Sequence, residues 1–206
     1  IPRVFLVWLE PWHGGKPKDP TNPDDLTGWH WPKGIDPEKG PYKQKPNSVG
    51  AYVEEKDKNI IYNLMQLYTY ELSFFEDETT NFQLIENGLF KMSKYIELYW
   101  TQEKRHPYIL KCDGKLAGFV LERFNENEMN EIAEFFVLNK YRTLGAGTFM
   151  ANEMFKKYKG KWEIRTLLKN KRAQEFWRKV VNNASNGNYE EHLIRDNTRY
   201  AFYFEN

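Results

Sequence analysis

The sequence predicts a mixed α/β (α+β) fold, one central sheet of about seven strands flanked by about four helices. Three observations carry this. From residue 48 onward apolar residues switch between a period of two and a period of 3.6, in the order β-α-α-β-β-β-α-β-α-β-β. An Asp113-Gly114 pair sits between two apolar runs, YILKC and KLAGFVLERF, and reads as a tight hairpin. The composition changes sharply near residue 47: nine of the ten prolines and four of the seven tryptophans lie before it.

The domain division follows from that change. Residues 1–47 form an irregular Pro/Gly/Trp-rich extension, because frequent prolines fix φ and remove donors. Only VFLVWL (4–9) could be a short strand there. Trp8, Trp12, Trp29 and Trp31 are expected to pack on the following domain, 48–206. In that domain, 48–55 alternates as a strand. Residues 58–73 place Ile61, Leu64, Met65, Tyr68 and Leu72 on one helical face, and 88–102 is a second helical candidate with Tyr95, Leu98 and Tyr99. After the hairpin come a strand over 130–138, a helix over 144–159, a strand over 161–168 and a helix over 171–181. A closing pair, 189–195 and 199–205, turns at Asp196-Asn197-Thr198.

Composition narrows the function. The 206-residue chain is long enough to bury a self-sufficient core, and its 40% hydrophobic content supplies one. Thirty basic residues against 29 acidic ones give a net charge of +1, which argues against a broadly basic nucleic-acid binder. No run reaches the ~18 apolar residues of a membrane span. A single cysteine makes a reducing, cytoplasmic setting the default. The segment IPRVFLVWLEPW is too short and too Pro/Trp-laden for a signal peptide. It starts without Met, so the chain as given is expected to be processed, truncated or partial.

The segment from Glu131 to Met150 is the most informative. A strand runs into a turn, and Arg142-x-x-Gly145-x-Gly147 opens a helix. Glycines let backbone approach a ligand, and the free N–H groups of a helix's first turn make an anion site at its positive dipole end. Arg142 and Lys140 add charge there. Three readings compete: a strand–helix turn without a ligand, a dinucleotide fold with Glu163 downstream, and a pyrophosphate site. The second lacks a third glycine, since Met150 stands there, and lacks a second strand–helix–strand half. No Gly-Lys-Ser/Thr is present for a Walker A loop.

The third pattern resembles the coenzyme A loop of GNAT N-acetyltransferases, written Arg/Gln-x-x-Gly-x-Gly/Ala. Asn170-Lys-Arg-Ala173-Gln-Glu-Phe176-Trp177 is similar to the family's Asn-x-x-Ala-x-x-Phe-Tyr signature. The same residues also read as an N-cap and a core-facing stripe, so order and spacing carry the likeness. It is strong over 131–181, extends over 48–206, and leaves 1–47 without a template.

The resemblance implies that acetyl-CoA lies between two parallel strands that splay apart, 131–138 and 161–168. Backbone near Val137 and Leu138 would hold the thioester and pantetheine. Thr143, Leu144, Gly145, Ala146, Gly147 and Thr148, with Arg142, would wrap the pyrophosphate. Asn170, Phe176 and Trp177 would complete the cofactor site. Transfer to the amine would be direct, with no acyl-enzyme.

That chemistry needs a neutral amine. A lysine-like ammonium of pKa ~10.4 is neutral in only ~1 part in 2,500 at pH 7, and a nearby carboxylate, directly or through water, can accept its proton. Glu134 and Glu131 are the candidates. Strand alternation puts them on opposite faces unless a bulge intervenes. Glu134 is favoured because it precedes an apolar run nearer the expected thioester.

Trp177 departs from the family's Tyr, the usual general acid. Either the coenzyme A thiolate leaves unaided, or Tyr200 or Tyr203 reaches in. Cys112 reads as a buried or incidental thiol, and His13 and His30 match no metal spacing. The acceptor is expected to be a small-molecule or peptide amine, cationic if Phe74-Phe75-Glu76-Asp77-Glu78 borders its entrance. No nucleic acid, membrane or metal partner is expected, and a homodimer is compatible with the sequence. A GNAT-like module that binds acyl-CoA or a partner without catalysis is the alternative.

Overall fold

The computed structural model describes residues 46–75, 82–195 and 197–206. Among them are β1 (Ser48–Tyr52), α1 (Lys58–Leu72), a 3-10 helix (Lys94–Tyr99), β2 (Arg105–Cys112) and β3 (Lys115–Phe124). They continue with β4 (Asn130–Val137), α2 (Ala146–Lys157), β5 (Lys161–Leu167), α3 (Lys171–Ala184), β6 (Tyr189–Ile194) and β7 (Arg199–Glu205). The seven strands make one sheet in the order β1-β2-β3-β4-β5-β7-β6. Only β4 and β5 run parallel among these neighbours. That topology excludes the doubly wound dinucleotide fold, which is built on a mostly parallel sheet.

The hairpin follows the expected physics. Cys112 pairs with Lys115 across two residues, and Asp113 and Gly114 take φ of 50° and 76°. Both are positive, as a type I′ turn requires. The sheet separates two cores. On one face α1 and the 3-10 helix place Ile61, Leu64, Met65 and Ile96 against Ile109, Phe119, Leu121 and Phe136. On the other, Met150, Met154 and Phe155 of α2 and Trp177, Val180 and Val181 of α3 pack on Leu110, Val120, Ile132, Trp162 and Phe202. Each well-buried large side chain contributes about 1.5–3 kcal/mol, which offsets ordering entropy only when such residues cluster as they do here.

The helix expected over 88–102 is corrected. Gly88, at φ 79°, turns the chain, and Leu84 bridges Phe90. The Gln66 side chain then holds Phe90 extended, accepting from its N–H at 2.8 Å and donating to its carbonyl at 3.1 Å. Ser93 caps only the short 3-10 helix that follows. Tertiary hydrogen bonds from α1 therefore overrode the local aromatic periodicity. The possible strand 4–9, the tryptophans of the extension, His13 and His30 lie outside the described residues.

Gly118 fixes how closely β3 approaches β4. A Cβ there would stand 2.0 Å from the Phe136 carbonyl oxygen and 3.0 Å from the Val137 Cα, both backbone. Gly118→Ala must therefore push β4 away where it leaves β5. We expect a loss of about 3 kcal/mol in unfolding free energy, read by urea titration. A loss under about 0.5 kcal/mol would show that β4 yields freely there.

Candidate active site

β4 and β5 pair only through Asn130–Trp162, Glu131–Glu163 and Ile132–Ile164, after which they diverge. The divergence opens a gap in the middle of the sheet. It coincides with a β-bulge, because Leu121 of β3 faces Glu134 while the next residue, Glu122, faces Ile132, leaving Ala133 unpaired. An inserted residue shifts the alternation by one. Glu131, Glu134 and Phe136 consequently share the α1 face, whereas Ile132 and Phe135 turn toward the α2/α3 core.

Two cavities meet at this gap. One, of about 440 Å³, lies between the end of β4, the start of α2 and the face of α3. It is lined by Val137, Arg142, Thr143, Gly145, Gly147, Thr148, Asn170, Phe176 and Trp177 among the residues expected to hold a cofactor. The other, of about 450 Å³, lies over the α1 face and includes Glu131 and Glu134. Tyr68, Leu72, Phe135, Asn170, Ala173 and Trp177 line both, so the two form a continuous passage through the sheet.

The entrance to α2 has the backbone of an anion cradle. Thr143 and Gly145 take φ of 44° and 82°, and the first intrahelical bond runs from the Phe149 N–H to the Gly145 carbonyl at 2.9 Å. The N–H groups of Ala146, Gly147 and Thr148 therefore have no intrahelical acceptor. Gly147 leaves room beside them: a Cβ there would sit 3.4 Å from the Phe176 ring and 3.6 Å from Val137.

Other expected site residues are placed differently. Leu138 donates its N–H to Ala117 at 2.8 Å, so that donor is committed to β3. Leu144 packs on the core and Ala146 lies within it, and neither lines the cavity, although the Ala146 N–H still faces the cradle. Arg142 does not extend freely toward the loop. Its guanidinium forms a bidentate ion pair with Glu71 of α1, and its Nε donates to the Val137 carbonyl at 2.6 Å. Glu71 was not legible as a partner because it is 71 residues away in sequence. Arg172 and Lys179 of α3 also line this cavity. Their spacing of seven puts them on one helical face, a signal that was present in the sequence.

Asn170 caps α3 as expected, its Oδ1 accepting from the Ala173 N–H at 3.0 Å. Gln174, buried beneath it, donates to the Leu167 and Leu168 carbonyls at 3.0 and 2.7 Å and so ties α3 to the end of β5. Trp177 is buried, with ring centroids 4.9 Å from both Phe135 and Phe176.

The two carboxylates have different surroundings. Glu131 accepts from Arg123 Nε and Nη2 at 3.0 and 3.1 Å and from Arg165 Nη2 at 2.7 Å. Two guanidiniums clamp it from both sides. Glu134 has no such clamp. Burial in the passage pushes its pKa up to about 7, the Tyr68 hydroxyl bonded to it pulls the other way, and Glu131 raises it further. Burial likewise holds the Tyr68 phenol well above its usual range. Tyr200 and Tyr203 line neither cavity. Tyr203 donates to Glu163 at 3.2 Å, and Tyr200 lies under Arg178 and Lys171. Cys112 is fully buried beside the Ser48 hydroxyl. No cluster of metal-ligating side chains occurs among the described residues.

A sheet split by diverging parallel strands, with the open first turn of α2 on one side and the Glu134 carboxylate on the other, fits the group-transfer class of enzymes. Residues 64–181 match the model of the Acetyltransferase (GNAT) family, and the chain belongs to that family. It is an acetyltransferase with acetyl-CoA as its cosubstrate. No curated protein sequence matches the chain. Among solved structures it is similar to an acetyltransferase from Thermus thermophilus, at 11% identity and a TM-score of 0.57, covering 79% of this chain and 99% of that one. An acetyltransferase from Bacillus subtilis in complex with CoA is similar at 13% identity and 0.52, over 78% and 99%. FdhC, described as a nucleotide-linked sugar GNAT, is similar at 18% identity and 0.53, over 79% and 89%. At these identities the likeness is one of fold.

Proposed function

We propose that the enzyme moves an acetyl group from acetyl-CoA directly to a primary amine, with Glu134 as the general base. The observation that carries this reading is the bulge at Ala133, which turns Glu134 into the passage joining the two cavities. Acetyl-CoA occupies the cavity at the start of α2, with its pyrophosphate on the N–H groups of Ala146, Gly147 and Thr148. Arg172 and Lys179 supply the cationic character that Arg142 shares with Glu71. Arg142 instead braces the mouth, joining α1 to the end of β4.

The amine arrives from the other cavity and reaches the thioester through the gap. Glu134, at a pKa of about 7, is matched to accept its proton near neutral pH. The nitrogen then adds to the carbonyl carbon and the C–S bond breaks. Trp177 cannot protonate the thiolate, because indole is not acidic near neutrality. The second proton of the attacking nitrogen passes to the departing thiolate, directly or through water, so coenzyme A leaves as the thiol.

Thiol release from acetyl-CoA, followed with a panel of amines, tests the proposal. Amine-dependent release, with kcat/KM falling on an acid limb near pH 7, is the expected result. Acetyl-CoA binding without release for any amine would favour a module that binds acyl-CoA without turnover.

A further inference from the structure

The cavity that would receive the acceptor has an unusual charge balance. Arg105, Arg123, Arg165, Arg195 and Arg199 line it, against Glu131 and Glu134 among the described residues. Arg123 and Arg165 are answered by Glu131, and Arg165 also lies 3.4 Å from Glu163. Arg105 is answered by no carboxylate among the described residues: its Nε donates to the neutral Gln102 Oε1 at 2.8 Å and its guanidinium lies over Tyr99 at 5.4 Å. Arg195, exposed at the turn between β6 and β7, has no side-chain hydrogen bond or ion pair among them.

We propose that the acceptor carries an oxyanion, a carboxylate or a phosphate, in addition to its amine, and that Arg105 and Arg195 recognise it. The inference rests on the amine being delivered to Glu134. A dipolar acceptor satisfies both ends of the cavity: its nitrogen meets the carboxylate at the gap, and its anion meets guanidiniums that present paired donors to oxygen. A purely cationic amine would be repelled by the same rim. The acidic residues 76–78, which would favour such an amine, lie outside the described residues.

Ethanolamine, serine and phosphoethanolamine share an aminoethanol core and differ only in the added anion, so they form the test. With acetyl-CoA, kcat/KM for serine or phosphoethanolamine is expected to exceed that for ethanolamine by about tenfold or more, the scale of one charge-assisted bond. Which of the two leads separates carboxylate from phosphate. The double substitution Arg105→Gln and Arg195→Gln is expected to raise KM for the anionic amine and remove most of the preference. Equal rates for the three amines, or a preference for ethanolamine, would overturn the proposal while leaving amine transfer intact. If none is acetylated, equilibrium binding to the protein saturated with coenzyme A decides the inference separately from the transfer reading. Tighter binding of either anionic amine, lost in the double variant, supports it; indifference to the anion overturns it.

Discussion

Replacing Gly147 with Trp is expected to weaken acetyl-CoA binding by roughly a hundredfold or more while the protein stays folded. The position is in the first turn of α2, and its neighbours lie at ordinary contact distance from a Cβ, with Phe176 at 3.4 Å and Val137 at 3.6 Å. Alanine therefore fits, and it favours the helix over glycine by about 1 kcal/mol. An indole does not fit without entering the space between β4 and α3, which is where the cofactor would approach the N–H groups of the cradle. Titration calorimetry with acetyl-CoA and a thermal melt separate the two effects. Gly147→Ala should bind within a fewfold of the parent, and Gly147→Trp should melt near the parent yet bind poorly. Unchanged affinity in the Trp variant would remove the cofactor from this loop.

Turnover is expected to fall by ~10²–10⁴ in Glu134→Gln, the usual range for removing a general base. The acid limb near pH 7 should disappear with it, because the titrating group is gone. Stability should move oppositely. Glu134 has its pKa raised from 4.5 to about 7 by burial, so the folded state binds its proton more tightly than the unfolded state. Below about pH 4.5 the group is protonated in both states and costs nothing. Between 4.5 and 7 folding has to retain a proton that the unfolded chain releases, and above 7 the buried charge is fully opposed. Glu134→Gln should thus melt higher at pH 8, by at most about 3 kcal/mol in unfolding free energy, and about equally at pH 4. Glu131→Gln should behave differently. It leaves Arg123 and Arg165 without their shared partner, which destabilises the fold by about 3 kcal/mol. An equal loss of turnover at matched stability in both variants would deny Glu134 its separate role.

The bulge decides between these two carboxylates, and it is the feature least available to sequence reading. A strict period of two put Glu131 and Glu134 on opposite faces, and nothing in Glu131-Ile-Ala-Glu134 marks Ala133 as the inserted residue. Only pairing with β3 reveals it, since register belongs to two strands at once. The same applies to Arg142. Its charge beside Gly145 and Gly147 suggested a phosphate partner, but Glu71 reaches it from another element and pairs with it.

What the sequence by itself determined is local or periodic. The strand–turn–helix at 130–157, the Asp113-Gly114 hairpin, the Asn170 cap and the buried stripe of α3 all follow from φ preferences, capping geometry and apolar spacing within about ten residues. With two spaced motifs in order, that sufficed to reach the family. The tertiary structure decided what depends on distant groups meeting: the short 3-10 helix in place of a longer one, the pairing of Arg142 with Glu71, the clamp on Glu131 and the arginine rim over the second cavity. Ion pairs, hydrogen bonds to backbone and desolvation act across a few ångströms of space and are indifferent to separation along the chain. Their outcome is therefore fixed only once β2, β4, β5 and β7 have been brought into one sheet.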